Sequence, residues 1–158
     1  MKKQINFRQN KGITGADLSI AVVAIIIFVS IITTLFYNVY MMNQKTARNV
    51  QATELISSIF EKIETLSYEE TTIAEQSTLL QKLQELNITI TSNDSTTQNL
   101  VGKKGGYIIT LNIKKYNELE ENTDKNLEDI IKIINVKIEY KIGENIENVE
   151  MSTLKIKE

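Results

Sequence analysis

Few side chains in this sequence could do chemistry. There is no His and no Cys, which removes the imidazole base, the thiolate nucleophile, disulfides and the common His/Cys zinc sites. Most enzyme constellations are thereby excluded, and the expectation is a chain without catalytic residue, metal or cofactor. A hydrolase built only from carboxylates needs two acids about 5–10 Å apart in a cleft, and no spacing here singles out such a pair. The most informative acid is Asp17, in Lys11-Gly12-Ile13-Thr14-Gly15-Ala16-Asp17, because a long apolar run begins at the next residue. Well inside a membrane span a carboxylate costs on the order of 2.5–3.5 kcal/mol, less near the interface. In the first turn of a helix it complements the helix dipole, at about 0.3–1 kcal/mol.

Other patterns carry less. Gly102-Lys103-Lys104-Gly105-Gly106 has the residues of a phosphate loop without the closing Gly-Lys-Ser/Thr, so a flexible turn is the better reading. Asp124-Lys125-Asn126-Leu127-Glu128-Asp129 lacks the central Gly and final Glu of a calcium loop. Asn87-Ile88-Thr89 and Asn93-Asp94-Ser95 are glycosylation triplets by pattern alone. For nucleic acid there is only the pair Lys103 and Lys104 and the pair Lys114 and Lys115, near Tyr107 and Tyr116. That reads as ordinary surface more readily than as a DNA-capturing stripe.

The elements that must position Asp17 are plain. Residues 1–12 carry Lys2, Lys3, Arg8 and Lys11 and no acid, and then no charge occurs for 27 residues, 18–44. As a helix the uncharged stretch runs roughly 40 Å, enough for a hydrocarbon core of about 30 Å. The hydroxyls of Ser19, Ser30, Thr33 and Thr34 are tolerable there because each can bond to a carbonyl one turn back. A buried helix in a soluble domain is the bland alternative, but roughly 110 further residues would struggle to wrap a helix apolar on every side. A cleaved secretory signal is the other alternative, and its apolar region is typically about 7–15 residues long. The basic leader, against only Lys45 and Arg48 soon after the span, predicts a single-pass protein of the cytoplasmic membrane with its N-terminus inside and C-terminus outside.

Beyond the span the helical period continues to about residue 66. Val50, Leu55, Ile59, Ile63 and Leu66, flanked by Ile56 and Phe60, form one apolar stripe. Thr72 and Glu75 fit a capping box that would open a short helix through Leu79, Leu80, Leu83 and Leu86. From residue 87 the period changes to two, and strands are expected at 88–91, 107–114, 133–142 and 146–157. Residues 92–106 read as a polar loop and 117–129 as an acidic one. Gly143-Glu144-Asn145 supplies a turn between the last two strands. The apolar parity slips between Met151 and Leu154, which suggests a bulge near Ser152. The expected organisation is a leader at 1–12, a transmembrane half-helix at 13–42, its amphipathic extension at 43–66, and an extracytoplasmic head at 67–158. In fold class this is α+β, a long N-terminal helix packed on a small antiparallel sheet.

The arrangement resembles the type IV pilin and pseudopilin superfamily. Members carry a short basic leader ending in Gly, cut by a membrane-embedded prepilin peptidase that also methylates the new N-terminus. By that resemblance Gly12 precedes the cut, Ile13 becomes the mature first residue, Thr14 matches the second position and Asp17 stands at the fifth, where Glu is usual. Ile replaces the usual Phe, Gly15 and Ala16 are smaller than the usual apolar pair, and the proline that kinks many pilin helices is missing, since the chain has none. Residues 134–157 look like the C-terminal hairpin of small minor pilins. Without Cys there is no C-terminal disulfide of the kind many major pilins carry, which favours a minor subunit or pseudopilin. The resemblance implies as partners other pilin or pseudopilin subunits, prepilin peptidase, an inner-membrane assembly platform and the lipid bilayer. It leaves DNA or a secreted substrate as further partners that no residue pattern supports. It also leaves open the filament: surface pilus, secretion pseudopilus, or the pseudopilus of DNA uptake in competence. The contrasting expectation is an uncleaved single-span protein with an external binding or sensory head. On this reading the formal charge of −2 divides into +4 in residues 1–12 and −6 in the rest, so processing leaves an acidic exported subunit.

Overall fold

The computed structural model describes residues 15–116 and 130–157. The residues of the expected cut, Gly12 and Ile13, lie outside the described residues, as do Thr14 and the stretch Asp124 to Asp129 considered for calcium. The described chain forms two helices and five strands. They are α1 (Gly15–Glu64), α2 (Thr78–Glu85), β1 (Thr89–Asp94), β2 (Asn99–Lys104), β3 (Tyr107–Lys115), β4 (Ile131–Ile142) and β5 (Asn145–Ile156). The class is α+β, a long N-terminal helix packed on a five-stranded antiparallel sheet. Residue contacts divide the chain into two units, Met1–Met42 and Asn43–Glu158.

In the first unit α1 is apolar around its whole circumference. Leu18, Ile25, Phe28, Leu35 and Phe36 are between 58% and 72% exposed although they point in different directions. Many of its residues are Val and Ile, which in water favour strands. A segment entering hydrocarbon must satisfy its backbone internally, and a helix does this within one chain.

In the second unit α1 becomes one-sided. Ala52, Leu55, Ile56, Ile59 and Ile63 are buried, at helical spacing. Val50, placed on the stripe by sequence, is half exposed because Ala52 takes its place on the packed face. The last three carbonyls of the helix are each satisfied. Thr65 Oγ1 donates to Lys62 O at 2.7 Å, Leu66 N to Ile63 O at 3.1 Å, and Lys155 Nζ on β5 to Glu64 O at 3.0 Å.

One local expectation is corrected in the segment that follows. The reciprocal pair forms at Ser67 and Glu70, with Ser67 N donating to Glu70 Oε2 at 2.9 Å and Glu70 N to Ser67 Oγ at 3.3 Å. At Thr72 and Glu75 no helix opens. Instead Ile73 is held by a tertiary clamp, its N donating to Gln98 Oε1 at 2.7 Å while Gln98 Nε2 donates to Ile73 O at 3.1 Å. Gln76 then turns through φ 65°, and α2 starts after an N-cap at Ser77, whose hydroxyl accepts from Leu80 N.

The sheet is a simple meander, ordered β1-β2-β3-β4-β5 with every neighbour antiparallel. The expected loop at 92–106 is mostly strand: β1 runs on to Asp94, and β2 pairs with both β1 and β3. Only Gly105 and Gly106 remain as the tight turn of the β2–β3 hairpin, since Lys104 faces Tyr107. Gly102, within β2, is glycine for a steric reason. A Cβ there would lie 2.7 Å from Ile88 Cγ2 and 3.3 Å from Thr89 O.

The bulge expected near Ser152 is absent. Pairing of β4 with β5 is unbroken from Ile131↔Ile156 to Ile142↔Asn145, with Ser152 opposite Asn135. The parity slip has another cause: Val149 and Met151 lie opposite buried Ile138 and Val136, whereas Ile146, Leu154 and Ile156 are on the exposed face. The register irregularity falls between Ile90 and Ser92 in β1. The hairpin turn is Gly143 and Glu144, with positive φ at Gly143 alone, as a type II′ turn requires. The core lies between α1, α2 and one sheet face, and includes Leu79, Leu83, Leu100, Ile109, Leu111, Ile134 and Ile138.

Candidate functional site

Asp17 stands in the first turn of α1, behind Gly15 and Ala16. Its negative charge there faces the positive end of the helix dipole. The polar residues farther along are internally satisfied: Ser19 Oγ donates to Gly15 O at 2.9 Å, Ser30 to Ile26 O at 2.8 Å, Thr33 to Val29 O at 2.9 Å, and Thr34 to Ser30 O at 2.9 Å. Each hydroxyl is thus carried along the helix without needing water. Among the described residues one helix, near the N-terminus, is long and apolar enough to cross a membrane, and none of its apolar window is buried. Gly15 presents open space, with nothing within 4 Å of where a Cβ would stand. The surface offered by the helix head is therefore small and apolar except for one carboxylate.

Within the second unit, polar contacts seat the helix on the sheet. Tyr107 on β3 donates to Gln51 Oε1 at 2.7 Å, and the Arg48 guanidinium lies 5.5 Å from the Tyr107 ring centre. Tyr140 on β4 donates to Asn49 Oδ1 and meets Tyr107 edge to face at 5.8 Å. Lys45 pairs with Glu147 on β5 at 2.8 Å, which raises the amine above its ordinary pKa. These contacts lie along one side of α1, at positions 45, 48, 49 and 51.

The second notable feature is a lysine the sequence reading passed over. Lys132 shares the parity of Ile134 and Val136 on β4, so its side chain enters the packed face, where it is 93% buried by its 7% exposure. Its amine donates to Tyr68 O at 2.6 Å, to Thr71 O at 2.8 Å and to Thr72 Oγ1 at 3.2 Å, and stands 4.2 Å from the Tyr68 ring centre. Burial pushes its pKa down, Glu69 opposes that, and Lys115 and Lys157 add to the depression. These groups line a half-open cavity of about 540 Å³ with Thr72, Ser95, Thr96 and Gln98. The signal was present in the sequence: a lysine in register with an otherwise apolar alternation. Among the described residues no group of three or more His, Cys, Asp or Glu is placed to hold a metal ion.

The residues singled out by sequence are not gathered into one place. Asp17 belongs to the first unit, while Lys103, Lys104, Lys114 and Lys115 are distributed over β2 and β3 of the second. No family model matches the chain, and no curated protein or solved structure matches it significantly.

Proposed function

We propose that this chain is a structural subunit, a minor pilin or pseudopilin, of a type IV pilus-like or type II secretion-like filament. It is processed by prepilin peptidase after Gly12 and assembled through its N-terminal helix. The observation that carries the reading is the order of features around Asp17: a basic leader ending in Gly, one acid in the first turn of α1, and an uncharged helix exposed on all sides. The amphipathic continuation of that helix onto a small antiparallel sheet agrees with the subunit plan of the superfamily. Cleavage frees the α-amine of Ile13 one helical turn from Asp17. In a bundle of such helices the carboxylate of one subunit meets the amine of another, which relieves the cost of each isolated charge in low dielectric. The pair sets axial register more than it adds net stability. Before assembly the protein sits in the cytoplasmic membrane with its C-terminal head outside, as the excess of positive charge before the span directs.

The deciding measurement is mass spectrometry of the N-terminus of the membrane-extracted protein. A mature chain starting at methylated Ile13 supports the proposal. An intact leader in cells with active prepilin peptidase refutes it and leaves the uncleaved single-span protein with an external binding head.

A further inference from the structure

The two edges of the sheet are built differently. β1, at one edge, is six residues long and its register slips between Ile90 and Ser92. Shortness and irregularity are two ways a protein keeps an edge strand from pairing with another chain. β5, at the other edge, is twelve residues long, with unbroken pairing to β4 and no proline. That is roughly 40 Å of extended chain. Lys157 N donates to Ile130 O at 2.8 Å. Bonded residues alternate along an antiparallel pair, so odd-numbered residues of β5 turn their backbone groups to β4. The even-numbered ones, from Ile146 to Ile156, turn theirs outward. Among the described residues no strand pairs with that edge. Three of these even-numbered residues are large and apolar: Ile146, Leu154 and Ile156 are 72%, 58% and 56% exposed. Ile131 and Ile133 on β4 stand opposite Ile156 and Leu154, so the apolar surface continues across two strands.

We propose that β5 is a self-association edge, pairing antiparallel with β5 of a second copy of this chain about a two-fold axis at Met151. Bonding fixes the parity, because outward even-numbered residues must face even-numbered residues. Two-fold symmetry then centres each allowed register on a single residue. A centre at Glu150 sets that carboxylate against its own copy, and like charges directly opposite are destabilising. A centre at Ser152 carries Ile146 past the end of the facing strand. Centred on Met151, Ile146 of each copy meets Ile156 of the other, Glu147 meets Lys155, and Val149 meets Thr153. Of the neighbouring registers this one alone matches both the charges and the exposed apolar ends. Glu147 already holds Lys45 at 2.8 Å, and Lys155 gives one proton to Glu64 O. A carboxylate has further lone pairs and an ammonium two further protons, so both can serve the second copy as well. Backbone bonds and the apolar residues supply affinity, and the charges fix the register. Nothing in it depends on the filament reading.

The chain has no Cys, so single cysteines report contacts without background. The full chain in nonionic detergent is oxidised mildly and read on non-reducing gels. Met151→Cys should form a disulfide-linked dimer, because the two copies of that residue face each other within disulfide reach. Val149→Cys and Thr153→Cys should each stay monomeric alone, since an offset of four residues, about 13 Å, exceeds that reach. Mixed, these two variants should crosslink to each other, and they read the same register should Met151→Cys fail to fold. Ser152→Pro added to Met151→Cys removes an outward N–H without touching a bond to β4. It should lower crosslinking several-fold while the circular dichroism spectrum stays unchanged. Monomer in every case overturns the proposal and leaves the edge to a foreign extended segment. So does equal crosslinking by all three single variants, which would mean contact through another part of the chain, such as the apolar half of α1. Crosslinking that survives Ser152→Pro overturns it too.

Discussion

Lys132 donates to the carbonyl oxygen of Tyr68 at 2.6 Å from the opposite side of the core, 64 residues along the chain. The same amine reaches Thr71 O at 2.8 Å, so one lysine closes the turn that follows α1 onto the start of β4. Lys132→Met keeps the apolar stem but strands both carbonyls. A buried group left without its partner costs about 1–3 kcal/mol. Unfolding of the full chain by urea in nonionic detergent, followed by circular dichroism, should show a loss of that size. An unchanged midpoint would mean that water or another donor replaces the amine.

On the proposed function, Asp17→Ala should be processed normally yet enter filaments poorly, because that proposal needs the first-turn acid only when Ile13 amines and carboxylates meet between subunits. Asp17→Glu, which keeps the charge, should restore incorporation. Comparing membrane-bound and sheared filament fractions by immunoblot reads both, and normal incorporation of the alanine variant would defeat the proposed role.

Gly102→Ala should destabilise the head by about 1–3 kcal/mol, the usual cost of overpacking. The added Cβ meets Ile88 Cγ2 at 2.7 Å, a methyl one bond from the backbone-attached carbon and so without an easy retreat. Thermal melting checks this, with Lys103→Ala on the same strand as the neutral comparison.

Ile56→Ala should cost about 2–5 kcal/mol, because a fully buried side chain leaves a cavity. Val50→Ala, at a position 51% exposed, should stay within about 0.5 kcal/mol. Equal effects in chemical unfolding would contradict the helix face assigned to the core.

Acid should loosen the β1–β2 turn through Asp94. Its carboxylate accepts from Thr97 Oγ1 at 2.8 Å, Thr96 N at 2.8 Å and Thr97 N at 3.3 Å, and these bonds hold its pKa below the usual aspartate value. A depressed folded pKa means that the unfolded chain binds the proton more readily. The stabilisation is therefore complete above the ordinary aspartate range and is lost as pH falls through the lower folded value. Melting temperature measured from about pH 6 to pH 2 should fall with acid, less steeply in Asp94→Asn than in the unmodified chain. Parallel curves would show that Asp94 does not contribute.

The sequence by itself determined the elements whose cause is local. An uncharged run of 27 residues reads as an apolar helix, and the alternation from Ile134 to Ile142 reads as a half-buried strand. The class of fold, the two-strand ending and the place of Asp17 in a first helical turn all follow from such patterns. Gly12 and Ile13 rest on a sequence motif alone, and the cut between them belongs to the proposed function.

Tertiary structure decided what depends on partners distant in sequence. Thr72 and Glu75 have the spacing of a cap, but Gln98 binds Ile73 first and the helix waits for Ser77. Leu100 and Val101 sit between polar residues too weakly patterned to announce a strand, and only pairing on both sides makes β2 one. Ile146, Leu154 and Ile156 look like core until β4 fixes the register and turns them outward. Lys132 sat in plain view in an apolar alternation, yet which carbonyls would receive its charge, and that Lys115 and Lys157 would stand beside it, depended on a turn more than sixty residues earlier. A periodicity reports which face of an element is apolar. Only the packed chain supplies the groups that meet it.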